Sequence, residues 1–332
     1  WALNLGRFGS SHEGEYDRIQ ASKFRASALF ELPVVCQTAN GTAFALAEAD
    51  LKHYAGLYLT GRGDGGLGLQ AQLSPSLDNG SKAVRTRIGA DTVSPWRAIM
   101  VGDTPGDLVS SNLMTSLNPP TALADTRWIK PGKAAWDWWN GSVVGGVDKP
   151  GMTTATMKGF IDFAAQNKLE YMLIDDGWYV GSGQAPAVLP GTDVTRAIAE
   201  TDMPGLIAYG AQKGVGIMVW VHWKPLEAQM DEALAAYEKW GIKGIKVDFM
   251  HRDDQAMVDY YHRLLTKAGE HHLMVDLHGA YRPTGLIRPY PNFITQEGVL
   301  GAEYNKWSAR ITATHNVTLP FTRMLLGPMD YT

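Results

Sequence analysis

The sequence predicts an α/β protein, an incomplete (β/α)8 (TIM) barrel preceded by part of an antiparallel β-sandwich. Three observations carry this. From about residue 127 short apolar runs alternate with helical periodicities, and polar or aromatic residues stand at the end of nearly every run. Residues 1–125 instead show short alternating segments between glycine-, serine- and aspartate-rich turns.

In the first part, Ala26–Val35 and Thr42–Leu46 read as strands, and Gly63-Asp-Gly-Gly66 and Asp78-Asn-Gly-Ser81 as turns. Ser74-Pro75 and Ser94-Pro95 fit connecting loops. In the second part the strands are Ala134–Trp138, Tyr171–Ile174, Gly216–Val221, Gly244–Val247, Leu273–Leu277 and Asn292–Thr295, with a seventh in Leu319–Asp330. Thr153 or Thr154 caps a helix carrying Met157, Phe160, Ile161 and Ala164. Leu226, Met230, Leu234 and Tyr237 share a helical face that ends at Gly241. Met257, Val258, Tyr261 and Leu265 share another, capped by Asp253 and followed by Gly269. A doubly wound sheet would gather its polar residues at one switch point; their spread over many strand ends favours the barrel.

With 332 residues, 45% hydrophobic and 19% charged, the chain has ample material for a core. A net charge of −4 gives no footprint for nucleic acid, and no apolar run approaches the roughly 18–20 residues of a membrane span. The single cysteine, Cys36, excludes an internal disulfide framework and leaves the compartment open. The chain starts at Trp1 with no leader pattern, as expected of a piece of a longer protein.

The strand ends present Trp136 and Trp139, then Asp175, Asp176 and Trp178, then His222 and Trp223, Lys246 and Asp248, His278, and finally Glu297 and Glu303. On a barrel these converge on one mouth, where carboxylates from different strands perform sugar cleavage. The bland alternatives are that Asp248 caps the next helix and that the tryptophans fill the core. Lys246 and Asp248, two apart on a strand, face one side, so the ammonium keeps the carboxylate ionised, which suits a nucleophile. Glu297 and Glu303 are a weak calcium signal by themselves, because Ca2+ takes roughly 6–8 oxygens. Gly63-Asp-Gly-Gly-Leu-Gly68 opens no helix and is a turn, and His271-His272 is a solvated turn before a strand.

Several motifs resemble glycoside hydrolase family 97. They are Lys130-Pro-Gly-Lys with Trp136-Asp-Trp-Trp139, Ile174-Asp-Asp-Gly-Trp178, Val219-Trp-Val-His-Trp223 and Gly244-Ile-Lys-Val-Asp-Phe-Met250. The series continues through Leu277–Gly285, Gln296–Tyr304 and Phe321–Tyr331, with Gly9–Tyr16 and Leu46–Leu51 upstream. The resemblance implies a sandwich piece over 1–125 and a catalytic barrel over 126–332 lacking its last unit. Within the family, the inverting branch lacks the fourth-strand aspartate and carries a glutamate after the histidine of its His-Glu-Ala motif. Here Asp248 is present, the motif reads His278-Gly279-Ala280, and the third strand ends His222-Trp223-Lys224. The resemblance is therefore to the retaining, α-galactosidase-like branch. It implies exo-acting release of terminal α-galactose from an oligosaccharide or α-galactoside, with Asp248 as nucleophile and Glu303 as acid/base. It further implies an active-site Ca2+ held by Glu48, Glu297 and Glu303, substrate contacts from Trp136, Asp175, Asp176, Trp178, His222, Lys246 and His278, and a periplasmic or secreted location. Rivals in the same class are a retaining α-glucosidase and a β-L-arabinopyranosidase. A sugar-binding relic has no use for an intact Asp248/Glu303 pair, and a barrel aldolase needs a lysine in an apolar pocket.

Overall fold

The computed structural model describes residues 1–64, 66–78, 89–90 and 92–332. Gly65 of the first expected turn, and residues 79–81 of the second, lie outside the described residues. Six parallel strands form the main sheet among the described residues: β1 (Ala134–Trp136), β2 (Tyr171–Ile174), β3 (Gly216–His222), β4 (Gly244–Asp248), β5 (Met274–Leu277) and β6 (Phe293–Gln296). Each neighbours the next in chain order, the arrangement of an incomplete (β/α)8 barrel. Among the described residues β1 and β6 do not pair, so the sheet stays open, and a cavity of about 370 Å³ in its interior is lined from all six strands, by Trp136, Leu173, Met218, Lys246, Asp276 and Thr295.

The register explains both the core and the site. Val219, Ile245 and Val275 stand in register, as do Val221, Val247 and Leu277, all with 0% exposure, and they face the helices. The alternate set, Trp220, Lys246 and Asp276, faces the barrel interior. Helices α1 (Thr154–Gln166), α2 (Met203–Lys213), α3 (Met230–Trp240) and α4 (Gln255–Glu270) cover the outside. Thr153 caps α1, its hydroxyl accepting from the Thr156 N–H. Gly241 ends α3 at φ +93°, in the left-handed region that glycine enters without penalty.

Several expectations are corrected. Leu226 and Met230 do not share one helix, because Gln229 separates a short helix, Trp223–Ala228, from α3. Asp254, not Asp253, occupies the N-cap of α4, and Gly269 lies inside that helix. The seventh strand is absent from Leu319–Asp330. That stretch forms two 3₁₀ turns, Leu319–Phe321 and Arg323–Leu326, followed by an extended tail whose Asp330 N–H donates to the Gln296 carbonyl at 2.9 Å. Arg323 is the cause. Its buried guanidinium donates to the carbonyls of Gln296, Glu297, Gly298 and Gly327, which fastens the turn under the loop after β6. Helix α2 and an antiparallel hairpin (Tyr179–Val180 with Asp193–Ala197) are additions that the sequence reading did not contain.

Upstream, the described residues form two antiparallel sheets, as expected of a sandwich piece. One orders Tyr16–Asp17, Ala2–Asn4, Phe30–Glu31, Leu57–Gly61 and Leu69–Leu73; the other orders Val34–Gln37, Ala43–Ala49 and Trp96–Gly102. Their joint with the barrel combines apolar packing, such as Ala47 and Ala49 with Leu326, with a buried ionic network. Arg282, 1% exposed, donates to Glu48 of the sandwich and, at 2.8 Å, to Asp253 of the barrel, with its guanidinium over the Tyr58 ring. Removing one partner from a buried network strands the others in low dielectric. Arg282→Met is expected to cost about 3–5 kcal/mol, read as a lower denaturation midpoint, whereas an unchanged midpoint would mean that water reaches the joint.

Candidate active site

Asp248 ends β4 opposite His222 of β3, at the C-terminal rim where barrel chemistry is placed. Its Oδ2 accepts from the Trp220 indole N–H at 3.0 Å and its Oδ1 from the Phe249 N–H at 2.6 Å. Phe249 takes φ +69°, an unusual value for a bulky residue, which turns the chain sharply just after the carboxylate. Burial pushes the Asp248 carboxyl up, but the charges of Lys246 and His278 and the two hydrogen bonds outweigh it. The net pKa lies below the ordinary value, so Asp248 is an ionised carboxylate at neutral pH. Lys246 acts on it through space, since its own bond goes to Asp175 Oδ2 at 3.1 Å. That oxygen also receives the Trp136 indole N–H at 2.6 Å, and the Lys246 ammonium lies 4.2 Å from the Trp136 ring centre. A lysine, an aspartate and an indole thus form a fixed floor beside Asp248.

Glu303 stands on a short 3₁₀ turn, Ala302–Lys306, anchored through its N–H to the Thr332 carbonyl. Its carboxyl is raised, first by burial and then by Asp248 and Asp175, against His278 and Lys246. One carboxyl held down and a neighbour held up is the division of labour between a nucleophile and a proton donor.

Glu303 also belongs to a cluster with Glu297 and Glu13, each offering an oxygen within 4.8 Å of the others. Glu13 is not among the ligands expected from the sequence, although it sits inside the Gly9–Tyr16 motif; the Tyr304 hydroxyl donates to it at 2.8 Å. Glu48, expected in this set, is elsewhere. Its two oxygens accept from Arg97, Arg282 and the Leu57 N–H, and it does not join the cluster around Glu297. Three crowded carboxylates suit a hard cation that takes oxygen ligands. Burial raises Glu13 and Glu297 above their ordinary values, Glu297 to about 8, with mutual repulsion adding to it. In the folded chain these groups therefore hold protons that the unfolded chain would release, and without a cation stability falls as pH rises from the ordinary 4.5 to about 8. Calcium selects the ionised forms. The melting temperature of chelated protein is expected to fall over that range, with added calcium raising it most near about pH 8 and Glu13→Gln weakening the response. A melting curve indifferent to calcium at that pH would remove the metal from this site.

The remaining predicted residues divide. His278 lies between Asp330 (2.7 Å), Asp276 (3.5 Å) and Glu297 (3.6 Å). Burial and Lys246 push its pKa down, yet the three carboxylates hold it up at about 10, so it is an imidazolium balancing acidic charge. His222 is its opposite: burial takes its pKa down to about 4 and leaves a neutral ring stacked on Phe249. Asp175 and Trp136 belong to the floor. Asp176 is occupied by the N–H groups of Gly183 and Ala185 and holds the hairpin loop over the rim. Trp178 is a correction. It has 0% exposure, donates to the Trp220 carbonyl at 2.7 Å and packs against Tyr237 and Trp240, so it is core and meets no ligand.

A parallel barrel with an ionised aspartate, a raised glutamate and an aromatic floor at its strand ends has the architecture of a barrel glycosidase. The sequence matches Glycoside hydrolase 97 over residues 137–299 and Glycosyl-hydrolase 97 N-terminal over residues 1–120, and the chain belongs to glycoside hydrolase family 97. Over 98% of its length it is 36% identical to a retaining alpha-galactosidase of Bacteroides thetaiotaomicron, of which it covers 50%. Over 99% it is 35% identical to a probable retaining alpha-galactosidase of Streptomyces bingchenggensis, of which it covers 48%. Its fold superposes, with a TM-score of 0.89 at 30% identity, on a family 97 enzyme from Pseudoalteromonas sp. strain K8 in complex with acarbose, covering 100% of this chain and 53% of that one. The chain thus spans about half the length of the relatives it matches.

Proposed function

We propose that this chain carries the active site of a retaining, exo-acting glycoside hydrolase that releases terminal α-galactose. The observation behind it is the opposed pair: Asp248, ionised and aimed by Trp220 and Phe249, beside Glu303, raised and half-buried. Asp248 attacks the anomeric carbon while Glu303 gives its proton to the departing oxygen. The same glutamate, now a carboxylate, then deprotonates the water that displaces Asp248, and two inversions restore the α configuration. Asp175 and Lys246 hold ring hydroxyls, Trp136 fixes Asp175 through its indole N–H, and Lys246 keeps positive charge near Asp248. Glu13, Glu297 and one oxygen of Glu303 would hold calcium, which when bound supplies fixed positive charge beside the leaving group.

Gly279 supports retention over inversion. At φ +55° its N–H donates to Glu297 Oε2 at 2.8 Å, and a Cβ there would meet the Phe249 N and the His251 ring at 3.1 and 3.0 Å. The position that carries the base of the inverting branch is thus crowded and strained for any side chain. The names of the Bacteroides thetaiotaomicron and Streptomyces bingchenggensis relatives support galactose as the sugar. The test is proton NMR of the first anomer released, with nitrophenyl α-galactoside, α-glucoside and β-L-arabinopyranoside compared as substrates. α-Galactose is the expected first product; β-galactose would reject retention, and a preference for either other sugar would reject the specificity.

A further inference from the structure

The largest exposed aromatic surfaces near the site have no role in the chemistry described above. Trp139 is 43% and Trp307 55% exposed, unusual for indoles that could pack inward. They belong to one assembly. Trp136 stacks on Trp138 (centroids 5.1 Å, 22°) and on Trp139 (6.1 Å, 29°), while Trp307 meets Trp138 edge-on at 6.1 Å and Tyr304 at 5.2 Å. The assembly is bolted at both ends. Inside, Trp136 donates to Asp175 and lies beneath Lys246. Outside, Lys306 donates to the Trp138 and Trp139 carbonyls at 3.0 and 2.6 Å, with its ammonium 3.8 Å from the centre of the Trp138 ring. Lys306 sits on the same turn as Glu303, and Trp307 directly follows it.

We infer that Trp139 and Trp307 form a binding subsite for the leaving group, taking the C–H face of a pyranose ring on the side of the cleft served by Glu303. This rests on the reading of Glu303 as the proton donor, because the donor must stand against the departing oxygen and so fixes where the leaving group lies. A pyranose presents an apolar face fringed with hydroxyls. The exposed indole faces match the former, and the indole N–H groups of Trp139 and Trp307, without partners among the described residues, match the latter. Preorganisation by Lys306 means that little ordering is left to be done on binding. Contacts to a part of the substrate remote from the broken bond are felt in kcat/KM.

The experiment compares an α-galactosyl disaccharide with α-galactosyl fluoride, whose leaving group has no ring, in the full chain and in Trp139→Ala/Trp307→Ala. The expected result is that the loss of kcat/KM on the disaccharide exceeds that on the fluoride by about tenfold, with Trp139→Tyr/Trp307→Tyr recovering most of it. Equal losses on both substrates, or none on either, would overturn the subsite. A chain inert even toward the fluoride would instead reject the enzymatic reading. The subsite is then decided by indole fluorescence on titration with the disaccharide: quenching abolished in the double variant supports it, and unaltered or absent quenching rejects it.

Discussion

Asp248→Gly is expected to abolish turnover of α-galactosides, by on the order of 10⁴-fold or more, and added azide is expected to restore it with a β-galactosyl azide as product. Removing the side chain takes away the attacking oxygen and opens a space beside Trp220 and Phe249, whose N–H groups then face the small anion. Azide enters from the nucleophile's side, so a single displacement inverts the centre that two displacements would have retained. Lys246 keeps Asp175 as its partner in the variant, so the floor of the site stays charge-balanced. Circular dichroism and the melting temperature report whether the variant is folded. Azide-dependent turnover with a β product would assign Asp248 as the nucleophile. A variant that retains hydrolysis would displace it from that role.

The second large effect is at Glu303. Glu303→Gln keeps the shape of the side chain but cannot donate a proton to a departing alkoxide. Sugar leaving groups are expected to lose about 10²–10⁴-fold, whereas an activated nitrophenyl group, which departs without a proton, loses far less. Because burial raises the Glu303 carboxyl, the alkaline limb of the wild-type kcat/KM profile is assigned to it and is expected to vanish in the variant. A uniform loss over both leaving groups with the limb intact would make Glu303 a structural residue.

Much of the barrel could be read from the chain because the strands of a parallel sheet covered on both faces are written as continuous apolar runs, as in Tyr171–Ile174 and Gly216–Val221. Strand ends are also where such a fold exposes polar residues, which made Asp175, His222, Lys246, Asp248 and His278 legible as a set. What failed depended on partners remote in sequence. Glu48 reads as a free carboxylate until Arg282, 234 residues away, is brought against it. Trp178 carries the same residue type as a sugar platform, and only the packing of Tyr237 and Trp240 makes it core. Glu13 lies in a glycine-rich segment without regular structure, where periodicity carries no information, and the fold alone brings it to Glu297. Leu319–Leu326 has the composition of a strand, yet the buried Arg323 within it needs carbonyls on several sides and coils the backbone to reach them.

The hydrogen bond from Tyr304 to Glu13 joins residues separated by 291 positions. On a ribosome this means that one carboxylate of the cluster emerges long before the other two. Assembly of the cluster then reports that the two parts have docked in the correct orientation. A barrel joined to an unrelated neighbour would keep Asp248 and Glu303 but lose the third acidic group, so the upstream part and the barrel complete the cluster only together.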